Sequence, residues 1–265
     1  MTDPQPVTYD VVEGVATLTL NRPDAMNSLD IATKEALRDL VVQAGEDDAV
    51  RCVVLTGTGR AFCVGQDLKE HIALLESGSS EELFTTVEKH YNPTVTALAT
   101  MPKPVIAAVN GVAAGAGASL AFACDLRIVA ESGGFNLAFP GVALSCDTGA
   151  SWTLPRLVGR AKAIELLYFP STISSAKALE LGLATSVVPD ADLVAEVGVL
   201  AAKLAAGPTL SYASMRQSVN FASTHDLPES LAFEAEKMNF TGASQDHRDA
   251  VTAFVTKQKP AFHAR

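Results

Sequence analysis

Val105-Ile106-Ala107-Ala108-Val109-Asn110-Gly111-Val112-Ala113-Ala114-Gly115-Ala116-Gly117-Ala118-Ser119-Leu120-Ala121-Phe122-Ala123-Cys124 is the stretch on which the fold turns. It is uncharged and about as long as a bilayer-spanning helix. Asn110-Gly111, Gly115 and Gly117 would break such a helix early. A buried strand over Val105 to Val109, a glycine turn, and a buried helix from Gly117 to Ala123 fit the same residues better. Leu126 to Ala130 then reads as a returning strand, so the stretch is one unit of an α/β fold.

Working outward, Val7 to Leu20 alternates around Glu13-Gly14, the signature of a hairpin. Ser28-Leu29-Asp30 opens a helix whose Ala36, Leu37, Leu40 and Val41 recur at helical spacing. Arg51 to Thr56 is a short apolar strand. A loop over Arg60 to Gln66 follows, and a helix starts at Asp67. Glu81 to Thr100 reads as one helix, with Pro93 at a kink or start. Ala176 to Leu183, Ala191 to Ala206, Pro208 to Ala222, Leu227 to Met238 and Gln245 to Lys257 all carry helical periodicity. The expected division is a core over 1–200 and a helical region over 201–265.

Composition narrows the function. Hydrophobic residues make up 48% and charged residues 19% of the 265 residues, which argues against disorder. A net charge of −10 with no Lys/Arg cluster excludes the usual nucleic-acid binder. A polyanionic ligand would therefore be held by a few local cations and backbone amides. Cys52, Cys63, Cys124 and Cys146 form no CxxC pair and read as reduced, mostly buried thiols of a cytosolic protein. No His lies at zinc-ligand spacing from them. Met1 to Pro6 lacks the basic and apolar regions of a signal peptide.

Two loops are the candidates for chemistry. In Ala61-Phe62-Cys63-Val64-Gly65-Gln66-Asp67, a glycine just before a helix start lets a backbone N–H point outward. In Gly111 to Ser119, residues with almost no side chain join a strand to a helix N-terminus, where a ligand can approach the backbone. Either loop alone is more often a packing device. Gly115-Ala116-Gly117 lacks the third small residue of a dinucleotide fingerprint, and no Gly-Lys-Ser/Thr makes a P-loop.

Together and in this order, the loops resemble the crotonase (enoyl-CoA hydratase/isomerase) superfamily. Asn21-Arg22-Pro23 with Met26-Asn27 resembles its first CoA-binding turn. Lys103 to Gly111 and the glycines after it resemble its second oxyanion segment. Cys124 to Ile128, Pro155 to Gly159 and the tail Arg248 to Phe254 also fit, so the likeness covers nearly the whole chain. It implies a spiral of ββα units with a C-terminal helical trimerisation region, hence a homotrimer or dimer of trimers. It also implies that the amides of Gln66 and Ala116 hold the oxygen of an acyl-CoA thioester. No separate cofactor is implied, because coenzyme A is part of the substrate, and neither a nucleic-acid nor a membrane partner is implied. Ala25, Met26, Val64, Gly65, Asp67, Gly115 and Phe139 fall in the matching substrate-binding segments. Arg22 and Lys69 are candidate contacts to the phosphate or adenine side. Phe254 and Lys257 are candidates for completing the CoA site of an adjacent subunit.

The hydratases of this superfamily use two glutamates, and here Ser119 and Gly141 stand at those positions. Neither can supply general acid–base chemistry unaided. Asp147 is the carboxylate left in the right stretch. It matches the proton-shuttling aspartate of the 1,2-epoxyphenylacetyl-CoA isomerases in the superfamily, and small or apolar neighbours would raise its pKa. Asp147 alternatively reads as a helix N-cap. The favoured reading is an isomerase that uses one Asp. A non-standard hydratase and a non-catalytic acyl-CoA binder stay open. An aryl-CoA dehalogenase ranks below them, since Phe139 and Asn92 replace its helper residues. Phe84, Phe135, Leu137, Phe139 and Leu144 suit an apolar acyl pocket or core packing, and Trp152 reads as core.

Overall fold

A computed structural model describes residues 5–78 and 80–264, with residues 80–82 described by their backbone alone. Most of the Met1 to Pro6 segment read for a signal peptide lies outside the described residues. The expected hairpin is β1 (Val7–Val12) and β2 (Val15–Leu20), antiparallel, with Glu13 and Gly14 at φ 50° and 78° in the turn. Positive φ at both central residues matches the twist of paired strands. Helix α1 (Ile31–Glu46) starts where Asp30 accepts the amide of Thr33. Lys103 closes its far end, its ammonium donating to the carbonyls of Ala44 and Asp47, where a cation offsets the helix dipole.

Three strand pairs then repeat. The first is β3 (Cys52–Gly57) with β4 (Ala61–Cys63), leading into α2 (Leu68–Glu76). Helices α3 (Ser80–Thr86) and α4 (Asn92–Thr100) follow. The second pair is β5 (Val105–Val109) with β6 (Val112–Ala114), leading into α5 (Ala116–Ala123). The third is β7 (Leu126–Ala130) with β8 (Gly134–Asn136), leading into α6 (Ala150–Val158). Next come α7 (Arg160–Tyr168), β9 (Ile173–Ser174), α8 (Ser175–Glu180) and β10 (Ser186–Val188). The first members of the pairs join one sheet, β1-β2-β3-β5-β7-β10, and the second members join another, β4-β6-β8-β9. Strands β3, β5 and β7 run parallel, as do β4, β6 and β8. The chain therefore winds as a spiral of ββα units, as expected.

The larger sheet is covered on both faces, which is why its strands are continuous apolar runs. Val53, Leu55, Val105, Ala107 and Val129 face one core. Their neighbours Cys52, Val54, Ile106, Ala108 and Ile128 face Leu193, Val197, Ala201 and Ala205, one stripe of α9 (Leu193–Ala205). Residue 200, where the core was expected to end, lies inside that helix. The chain closes with α10 (Thr209–Ala222), α11 (Leu227–Gly242) and α12 (Gln245–Val255). Arg51 ties them to β3, donating to Thr209 Oγ1, Gly207 O and Phe262 O.

Four readings need correction. The loop over Arg60 to Gln66 contains β4. The single helix over Glu81 to Thr100 is two α-helices joined by a π-helical turn, Val87–Tyr91. Trp152 is not core: it is 44% exposed, with the Arg156 guanidinium 3.1 Å from its ring centroid. Of the five apolar-pocket candidates, Phe135, Leu137 and Phe139 are buried, whereas Leu144 (40%) and Phe84 (52%) are exposed. Among the described residues, no single helix is long and apolar enough to cross a membrane.

Candidate active site

Two loops remote in sequence are pressed together by glycine. Gly65 has φ 84°, and a side chain on it would come within 2.9 Å of Ala114 O and 3.2 Å of Ala116 N. A side chain on Gly117 would run into the Cys63 carbonyl. Backbone thus meets backbone where α5 begins. Gly115, at φ 51° and ψ −123°, turns the chain into α5 in a conformation that favours glycine, and the space its side chain would fill is open.

This packing decides what the Gln66 amide can do. Leu29 bridges Gln66 in parallel: the Leu29 N–H donates to Gly65 O at 2.8 Å, and Leu29 O accepts from Asp67 N at 3.1 Å. In such a bridge the central residue's own N–H faces the other way. Ala116 is the first residue of α5, so its N–H has no acceptor within the helix. Among the described residues, neither the Gln66 nor the Ala116 N–H has a backbone or side-chain acceptor.

The turn at Asn21 to Asn27 braces the first loop. Arg22 N–H donates to Asn27 Oδ1 at 2.9 Å, and Asn27 Nδ2 donates to Ala61 O at 2.8 Å. Ala25 closes a 3-10 turn, Met26 is left-handed at φ 51°, and Met26 O accepts from Val64 N. The Arg22 guanidinium lies 3.0 Å from both Asp30 and Asp67 carboxylates. Burial raises the Asp67 pKa. Hydrogen bonds from Ser28, Arg22 and the amides of Glu70 and Lys69 outweigh that and hold it below the ordinary carboxylate range. Asp67 caps α2 with this charge. Lys69, in the first turn of α2, is exposed.

Asp147 sits on the turn before α6. Its carboxylate accepts from Thr148 Oγ1 at 2.8 Å. The N-cap position belongs to Gly149, with no side-chain cap, so Asp147 does not take the capping role read as its alternative. Burial pushes its pKa up, against the Thr148 bond that pulls it down. Thr148 is buried at φ 53°, an outlying conformation for a β-branched residue. Asp147 is linked to the amide site through Tyr91: its charge is one of the causes that raise the Tyr91 pKa, after burial. The Tyr91 hydroxyl in turn donates to Gln66 Oε1 at 2.5 Å.

The two positions where hydratases carry glutamate offer nothing comparable. Ser119 is fully buried, and its hydroxyl donates back to Gly115 O at 3.1 Å. Gly141 faces open space. Burial lifts the Cys52, Cys63 and Cys124 thiols to about 12, so they stay protonated. Among the described residues no His/Cys/Asp/Glu group could hold a metal ion.

Gln66, Ala116, Val64, Gly65 and Gly115 are therefore brought together. Phe139 is buried at the start of a 3-10 turn, while Phe254 and Lys257 are exposed at the end of α12 and beyond it. Sequence reading passed over Lys34 and Glu70, which join Tyr91 behind Gln66. Lys34 gave a signal: it interrupts the buried stripe of α1, Thr33, Leu37, Val41 and Ala44.

Comparison with known proteins places the whole chain in one family. Residues 10–265 match the model of the enoyl-CoA hydratase/isomerase family. The chain is 42% identical over 252 residues to the 1,2-epoxyphenylacetyl-CoA isomerase of Escherichia coli (strain K12), covering 95% of this chain and 96% of that protein. It is 32% identical to the crotonyl-CoA hydratase of Syntrophomonas wolfei, covering 94% and 95%. Among solved structures, the enoyl-CoA hydratase from Bacillus anthracis superposes with a TM-score of 0.92 at 32% identity, covering 98% of this chain and all of that one. With its ββα spiral and paired amide loops, the chain belongs to the enoyl-CoA hydratase/isomerase family.

Proposed function

We propose that this protein isomerises an acyl-CoA thioester, with Asp147 moving the proton and the Gln66 and Ala116 amides carrying the enolate oxygen. The observation that carries this reading is the pair of acceptor-free N–H groups, set by glycine packing, with one carboxylate nearby whose pKa burial raises. The Asp147 carboxylate takes a proton from the carbon α or γ to the thioester. The C–H electron pair becomes a C=C bond, and the negative charge moves to the thioester oxygen. Each N–H donor there contributes roughly 3 kcal/mol to the transition state. The Asp147 carboxyl then returns the proton at the other carbon, and the double bond has moved with no net change in atoms.

Hydration is disfavoured because Ser119 spends its hydroxyl within α5 and Gly141 has no side chain. On the coenzyme side Lys69 is the favoured cation, being exposed, whereas Arg22 already pairs with two carboxylates. Leu68, Ile72, Leu75, Phe84, Val142 and Leu144 are exposed apolar residues suited to line an acyl chain's path. The assembly we favour is a homotrimer or a dimer of trimers, in which Phe254 and Lys257 reach a neighbouring subunit's coenzyme.

The test is deuterium exchange at the α-carbon of a saturated acyl-CoA thioester, read by mass spectrometry. Asp147→Asn should lower the exchange rate by about 100-fold or more while the thioester still binds. Unchanged exchange would overturn the role.

A further inference from the structure

The Gln66 side chain is gripped from behind by groups that the proton transfer does not use. The Tyr91 hydroxyl lies 2.5 Å from Oε1, and Lys34 Nζ lies 3.4 Å from the same oxygen. An ammonium can only donate, so the atom facing Lys34 is the amide oxygen. Gln66 Nε2 is left buried without a partner among the described residues. Lys34 is 3% exposed and sits 3.5 Å from Glu70 Oε2, and the other Glu70 oxygen accepts from Ile31 N at 3.0 Å. Its ammonium also lies 5.9 Å from the centroid of the Tyr91 ring. Burial lowers the Lys34 pKa although Glu70, Asp30 and Asp67 oppose it. Burial, with nearby anionic groups, holds the Tyr91 phenol well above its ordinary range, so it remains a donor.

This arrangement carries costs. An ammonium and a phenol are desolvated, and one amide donor is left unpaired. Tyr91 also ends a π-helical turn, Val87–Tyr91, in which Asn92 N donates to Val87 O. Such turns are rare and concentrate at functional sites. Regular α-helix there would shift Tyr91 about 100° around the axis. α1, α2 and the π turn therefore all converge on one glutamine side chain.

The mechanics of the 64–67 segment explain what the grip does. Leu29 holds it by two bonds on one side, Gly65 O and Asp67 N. Met26 O also holds Val64 N, and Arg22 and Ser28 hold the Asp67 carboxylate. Among the described residues the Gln66 N–H has no acceptor of its own, so its peptide is fixed only at the Gly65 carbonyl and can still tilt about that bond. An anchor on the Gln66 side chain opposes the tilt. We infer that Tyr91 and Lys34 are positioning residues that lock the direction of the Gln66 N–H through the Gln66 side chain. The inference rests on the thioester reading above.

The probe is an arylacryloyl-CoA thioester, whose absorption maximum moves to longer wavelength when its carbonyl oxygen accepts hydrogen bonds. The wild-type protein should show the shift. Tyr91→Phe and Gln66→Met should shrink it and slow α-proton exchange about tenfold to a hundredfold, with thioester affinity within a few-fold of wild type. Gln66→Glu, which keeps an oxygen toward Tyr91 and Lys34, should restore most of the shift. If Tyr91→Phe does not fold, Gln66→Met carries the test. Variants that keep the full shift and exchange rate overturn the inference, as does weaker binding with an unchanged shift per bound ligand. A wild-type protein that shifts nothing overturns the thioester reading, and this inference with it.

Discussion

An aspartate that burial holds above the ordinary carboxylate range binds its proton more tightly folded than unfolded, and Asp147 is such a group. Its contribution to stability is therefore greatest below the unfolded carboxylate pKa, about 3.9. It is lost as pH rises through the folded pKa, where the fold must carry a half-buried charge. Asp147→Asn should accordingly melt higher than wild type near neutral pH, and the gain should vanish in thermal scans taken below about pH 4. The proposed isomerisation runs the opposite way, because in it the ionised form is the base. Activity should fall as pH drops through the raised pKa, with its acid limb above that of an exposed aspartate. Thr148→Ala removes the hydrogen bond that pulls this pKa down. It should move the acid limb of the rate profile further toward neutral.

At the scale of elements, glycine positions separate packing from freedom. Gly117→Ala would drive a methyl into the Cys63 carbonyl, whereas Gly141→Ala would place one in open space. In urea unfolding the first should cost at least about 2 kcal/mol, and the second well under 1 kcal/mol. How far these elements could be read from sequence follows physical lines. Strands β3, β5 and β7 were legible because both their faces are buried, so each is an unbroken apolar run. β4, β6 and β8 are three residues each and carry no periodicity of their own; pairing with one another defines them. The π turn was invisible because nothing between Val87 and Tyr91 breaks a helix, and only the hydrogen bonds reveal the extra residue. The amide loops were legible from their glycines. The anchor behind Gln66 was not, since Lys34, Glu70 and Tyr91 meet only in the folded chain.

For the whole molecule, the C-terminal helices carry a run of exposed apolar side chains. Met215 and Val219 lie one turn apart on α10, Leu227 and Leu231 on α11, and Val251, Phe254 and Val255 on α12, all exposed. Exposed apolar side chains in such number are what the proposed trimer or dimer of trimers would cover. In analytical ultracentrifugation the wild type should sediment as a trimer or hexamer, and Val219→Glu should shift mass toward the monomer. A wild-type monomer would refute the assembly. The subunit's interior points to a different kind of division. Where Gly65 and Gly117 meet the opposite loops, the nearest atoms are mostly main chain, those of Ala114, Ala116 and Cys63, with the Cys63 Cβ the one side-chain atom beside Gly117. Main chain is the same whatever the residue, so that junction is nearly blind to sequence drift except at the glycines themselves. Asp147, the group proposed to move the proton, hangs instead from a short turn at 147–149, outside the junction. If the proposed roles hold, inheritance of the scaffold and turnover of its acid–base chemistry are thereby uncoupled. A lineage built on this chain could then exchange its proton-handling group and leave the paired amide loops as they are.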